Sequence, residues 1–119
     1  MKRKVDAKIR DTVKRFNEAG FRTTYSCAGH LNKEFIQVYV AFLLPRGKIA
    51  YLLKTAYDCL DQEIWDTCLS LQVHKLQSDQ DNCDAVNLRI PITGKNKRIK
   101  IQAARRYFNK LSNTLWGGF

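Results

Sequence analysis

The sequence predicts an α+β domain with one mainly antiparallel four-stranded sheet and helices on one face, in the order α-β-β-α-β-β-α. Three observations predict it. Apolar residues recur at helical spacing in three separate stretches. A nearly continuous apolar run, residues 35–44, lies between the first two of them. Two alternating segments around a polar turn then read as a hairpin. The 119 residues suit a single domain spanning 1–119, and 45% of them are apolar, enough for a core without disulfides or metals.

Taken in order, Val5, Ile9, Val13 and Phe16 predict a helix over 4–19, closed by Gly20. Residues 21–27, rich in β-branched and aromatic types, predict a short strand. A turn with Gly29 and Asn32 leads into the apolar strand, which ends at Pro45 and Gly47. Ile49, Leu52, Leu53, Ala56, Tyr57 and Leu60 mark the second helix. Alternation of Leu69, Leu71 and Val73 predicts a strand over 66–76, and its hairpin partner covers 85–92. Pro91 places that partner at an edge or at its own end. From Arg98, the residues Ile101, Ala104, Phe108, Leu111 and Leu115 mark the last helix, and 116–119 form a tail free to dock or fray.

The formal charge is +10, unevenly spread. Residues 1–57 hold 12 basic and 4 acidic side chains; residues 58–84 hold 1 and 7; residues 85–119 hold 8 and none. If the ends meet in the fold, they form a cationic face opposite an acidic one, suited to phosphate polymers. The candidate phosphate contacts are Lys4, Lys8 and Arg15 of the first helix and Arg98, Lys100, Arg105, Arg106 and Lys110 of the last. Tyr107 and Trp116 stand near enough to stack on bases.

The segment Thr23-Thr24-Tyr25-Ser26-Cys27-Ala28-Gly29-His30 gathers hydroxyls, a thiol and an imidazole at a strand end. Gly29 allows close backbone approach, so Thr24, Ser26, Cys27, Gly29 and His30 form the candidate ligand site, against the plainer reading of a polar turn. Cys27-x-x-His30 also has the spacing of half a zinc site, but Cys59, Cys68, His74 and Cys83 supply no second close pair. Cys27 with His30 as a nucleophile and base lacks a nearby acidic orienter. Asp58, Asp61, Glu63 and Asp66 match no calcium loop. The expectation is no metal, no cofactor and no catalytic residue.

The same segment resembles Ser-Cys-x-Gly-His stretches in small uncharacterised proteins of phages and bacteria, which also have a helix before the motif and an apolar strand after it. That resemblance implies a phage or mobile-element accessory protein with an anti-defence role. The segment is also similar to the Ser-Ser-Cys-Ser-Gly-Arg signature of wyosine-type tRNA methyltransferases: Ser26, Cys27 and Gly29 coincide, and His30 stands where that family has arginine. This second resemblance implies S-adenosylmethionine and a tRNA guanine derivative.

The expected function is therefore binding of a phosphate-bearing ligand, nucleic acid or nucleotide. The alternatives are sequestration of a nucleotide signal by a homo-oligomer, an inhibitor with a protein partner held by the acidic 58–84 segment or the tail, and a small RNA- or nucleotide-modifying enzyme. No apolar run approaches the roughly 20 residues of a membrane span. The four cysteines are unpaired in sequence, and the basic start is not followed by a secretory apolar run, so a reducing cytoplasm is expected, the host's if the protein is phage-encoded.

Overall fold

The computed structural model describes residues 8–31, 34–77 and 82–117. The elements run α1 (Arg10–Glu18), β1 (Thr23–Cys27), β2 (Ile36–Pro45), α2 (Arg46–Asp58), α3 (Gln62–Asp66), β3 (Gln72–Gln77), β4 (Cys83–Ile92) and α4 (Lys97–Gly117). The strands form one antiparallel sheet in the order β1-β2-β4-β3. This is the α+β arrangement that the sequence predicts, with one added helix.

Alternation explains the layering. In β2, Ile36, Val38, Val40, Phe42 and Leu44 are buried, and in β4 Val86, Leu88, Ile90 and Ile92 are buried in register with them. Side chains of alternate residues share a face, so these two strands put one apolar face against the helices. α4 packs on β2 and β4 and contacts both α1 and α2. Phe16 of α1 meets Phe42 edge-on, ring centroids 5.1 Å apart. Ile101, Ala104, Phe108, Leu111 and Leu115 of α4 are all buried, as their spacing predicts. No described element covers the opposite sheet face.

Several boundaries move. The predicted first helix begins at Arg10, and its part over 4–7 lies outside the described residues. It stops at Gly20 (φ +87°), where the Phe21 N–H donates to the Phe16 carbonyl at 2.9 Å, the bond of a helix end closed through a left-handed residue. The strand expected over 66–76 begins only at Gln72. Before it stands the short helix α3, capped by the Asp61 carboxylate, which accepts from the Ile64 N–H at 3.3 Å. Ile64 is buried, and the Thr67, Cys68 and Leu69 N–H groups bond back to the Glu63, Trp65 and Ile64 carbonyls, so the first residues of the expected strand close this helix instead.

Pro91 does not mark an edge strand, because β4 is internal. The pairing of β3 with β4 reaches only to Arg89, so at Pro91 β4 has run past the end of its neighbour. A proline without an N–H is tolerated there. Trp116 belongs to α4, and the rest of the predicted tail, Gly118 and Phe119, lies outside the described residues. Among the described residues no helix is long and apolar enough to cross a membrane.

Candidate anion-binding cleft

The turn after β1 returns against α4. Gly29 adopts φ +87°, and an added Cβ would lie 3.1 Å from Val38 Cγ2 and 3.3 Å from Ile101 Cγ2. The turn is thus pressed between strand and helix, and only glycine fits without displacement. Arg105 fixes it from the helix side: Nε donates to the Ala28 carbonyl at 2.7 Å and Nη2 to the Gly29 carbonyl at 3.2 Å. Because these acceptors are neutral carbonyls, the guanidinium charge is not cancelled, and further N–H donors remain on it.

Around this clamp lies a cleft of about 540 Å³. Lys8 enters it just before α1, His30 and Leu31 come from the turn, and Arg98, Gln102 and Arg105 come from successive turns of α4. Spacings of four, three and seven residues place those three α4 side chains on one stripe. No residue lining the cleft is acidic. Arg98 has no carboxylate partner among the described residues. The cleft joins two features that lie far apart in sequence, the Gly29–His30 turn and the basic helices.

The structure divides the other predicted site residues. In the register of the edge strand, Ser26 lies opposite Val40, on the helix side, and Cys27 lies opposite Tyr39, on the uncovered side. His30 lines the cleft, and Cys27 is not among its lining residues. Thr24 falls in the irregularity between Thr23 and Tyr25. All four cysteines are free thiols, and no cluster of three metal-ligating side chains forms among the described residues.

The expected cationic face is also divided. Arg106 Nε meets Glu63 Oε1 at 2.8 Å, and Lys110 Nζ meets Asp61 Oδ2 at 3.3 Å, so the acidic segment lies along α4 and neutralises it. A second cleft of about 530 Å³ lies there, lined by both ion pairs. Burial works against ionisation of Asp61, but the Ile64 N–H and the Lys110 ammonium outweigh it and hold the carboxyl below its usual range. Asp84, almost fully buried, faces Arg46 at 3.5 Å and Lys75 at 3.7 Å. Three acids of the described 58–84 segment, Asp61, Glu63 and Asp84, are thus paired with cations, and Asp79 and Asp81 lie outside the described residues.

Arg15 is used as a latch: Nε donates to Ser112 Oγ at 3.2 Å, and Nη2 donates to Asn109 Oδ1, tying α1 to α4. Lys100 Nζ donates to the Thr93 carbonyl at 2.7 Å. Lys4 lies outside the described residues. Tyr107, expected as a stacking surface, is buried, and its hydroxyl donates to the Ala56 carbonyl. Burial first, with the nearby Cys59 thiol, pushes its phenol far up, so it stays a neutral donor. Trp116 is exposed.

Sequence reasoning missed Leu31, Ile101 and Gln102 of the cleft. The signal for Gln102 was present, since it falls on the stripe of Arg98 and Arg105. Comparison with models of protein families, with curated proteins and with solved structures returns no match to this chain.

Proposed function

We propose that this protein binds a phosphate-bearing ligand, a nucleic acid or a nucleotide, in the cleft between the Gly29–His30 turn and α4. The observation that carries this reading is the convergence of Lys8, Arg98 and Arg105 on one cleft with no carboxylate in its lining. Cations held close together in one concavity repel each other and gain when an anion enters. Arg98 also sits in the first turn of α4, which contains no acidic residue, so the positive end of the helix dipole adds to the field. Gln102 and His30 add hydrogen-bonding groups beside the cations. Leu31 and Ile101 supply an apolar wall, a usual feature of small-ligand sites.

The reading is one of binding without chemistry. Titration calorimetry with pyrophosphate, ADP and a twelve-nucleotide oligouridylate tests it, at salt concentrations from low to physiological. Binding of at least one of these, weakening steeply as salt rises, is the expected result. Absence of binding to all three at low salt removes the reading.

A further inference from the structure

We propose that the uncovered face of the sheet is a stacking platform for a single strand of nucleic acid whose backbone lies in the cationic cleft. This inference rests on the reading of the cleft as a phosphate site. The register sets two rows across the face. One runs Cys27, Tyr39, Arg89, Gln72, and the next runs Tyr25, Ala41, Asn87, His74.

Tyr25, on the edge strand, is 54% exposed, a large value for an aromatic ring on a sheet. Its neighbour Ala41 is small and leaves room above the strand for a flat group. Tyr39 is half-buried in the adjoining row. Burial first, then the nearby Cys27 thiol, raises its phenol against the opposing pull of Arg89, and the Tyr25 phenol adds to the rise. Aromatic rings on neighbouring strands accept successive bases because every base has a π-face.

Two further atoms point to a base. The Asn87 side-chain oxygen and the Arg89 Nε are buried and have no hydrogen-bond partner among the described residues. One is an acceptor and the other a donor, two residues apart on the same face. Buried polar groups are nearly always satisfied, so an unmatched pair in the middle of a sheet face marks a place where a ligand's groups complete the set. Base edges present donors and acceptors side by side, and rotation of neighbouring side chains on binding brings them into reach.

The charge and the topology favour a nucleic acid over a second copy of this chain. Neither row contains a carboxylate, and Arg89 stands near the centre. Two copies stacked face to face about a twofold axis there would bring Arg89 toward its own mate. The platform also meets the cleft directly: Cys27 ends β1 on the open face, and Gly29 and His30 follow on the cleft side. A strand leaving the cleft passes only this turn to reach Tyr25.

Fluorescence anisotropy of the full chain with a labelled twelve-nucleotide oligouridylate, beside calorimetry with pyrophosphate, tests the proposal. Tyr25→Leu and Tyr39→Leu are each expected to weaken oligouridylate binding about tenfold and to leave pyrophosphate binding unchanged. Tyr25→Phe keeps the ring and keeps the affinity. Lys8→Ala with Arg98→Ala weakens both ligands. Unchanged oligouridylate affinity in Tyr25→Leu overturns the platform, and since that side chain is exposed, its result stands even if Tyr39→Leu does not fold. Wild-type protein that takes pyrophosphate but not oligouridylate overturns the platform while leaving the cleft reading intact. Failure with both ligands, and with ADP, removes both. A change of oligomeric state in Tyr25→Leu by sedimentation assigns the face to a second copy instead.

Discussion

Two stripes of α4 carry similar basic side chains and differ in what faces them. Arg98 and Arg105 border a cleft without acids, and Arg105 bonds to neutral carbonyls. Arg106, the next residue in the chain, and Lys110, one turn beyond it, face Glu63 and Asp61 and are paired with them. A count of charges along the helix treats these residues alike. Pairing separates them, because a carboxylate within about 4 Å cancels most of the field that a distant phosphate would feel. No acid lines the first cleft, whereas Asp61 and Glu63 line the second, which has nearly equal volume.

The sharpest way to break the comparison is to remove two cations from each cleft. Lys8→Ala with Arg98→Ala should lower affinity for oligouridylate about a hundredfold at low salt and reduce the slope of log affinity against log salt by about two. Arg106→Ala with Lys110→Ala should change affinity less than about threefold. Equal losses in both pairs, read by anisotropy across a salt series, would mean that pairing does not choose the site.

The turn that shapes the first cleft should be the more sensitive in stability. Gly29→Ala places a Cβ against Val38 and Ile101 at a left-handed φ, and is expected to lower stability by about 1–3 kcal/mol in urea unfolding. A neutral result would show that the turn moves freely and that the cleft walls are not fixed.

A smaller effect is expected where the acidic segment docks. Asp61→Ala removes the cap of α3 and should cost about 1 kcal/mol near neutral pH. The Asp61 carboxyl is held below its unfolded value, so its stabilisation is present above that value and is lost as pH falls through the folded value. The difference between wild type and Asp61→Ala should therefore shrink as pH drops below the ordinary carboxylate range. A difference independent of pH would place the effect in helix propensity alone.

The smallest change sharpens the comparison from the other side. Glu63→Gln breaks a half-exposed ion pair and should alter stability by at most about 1 kcal/mol. It uncovers Arg106, however, and should raise anion affinity a few fold. No rise would show that the Arg106–Lys110 stripe of α4 is unsuited to anions for a reason other than neutralisation.

Much of the fold was legible because periodicity reports burial. The stripe from Ile101 to Leu115 and the alternation in β2 and β4 correspond to buried residues almost one for one. The strand predicted at 66 failed for a local reason. Leu69 and Leu71 fit a period of two, yet Ile64 and the Asp61 cap upstream belong to a helical turn, and Leu69 bonds back to the Ile64 carbonyl across its end. A pattern of three apolar residues cannot separate these cases. The candidate site was legible in part. Gly29 and His30 stood out by type, and Arg98 and Arg105 by spacing. Their convergence, and the loss of Cys27 to the other face, follow from sheet register, which shifts a side chain from one face to the other with a single residue.

By itself the sequence determined the α+β class, the apolar faces, the glycine stop of α1 and the excess of basic side chains, because each depends on residue type and near-neighbour spacing. The tertiary structure alone decided which cations meet carboxylates, which side of the sheet stays uncovered and where the turn after β1 comes to rest. Those outcomes depend on contacts between residues tens of positions apart, such as Arg105 with Ala28 and Arg106 with Glu63, and no local pattern encodes the distance between them.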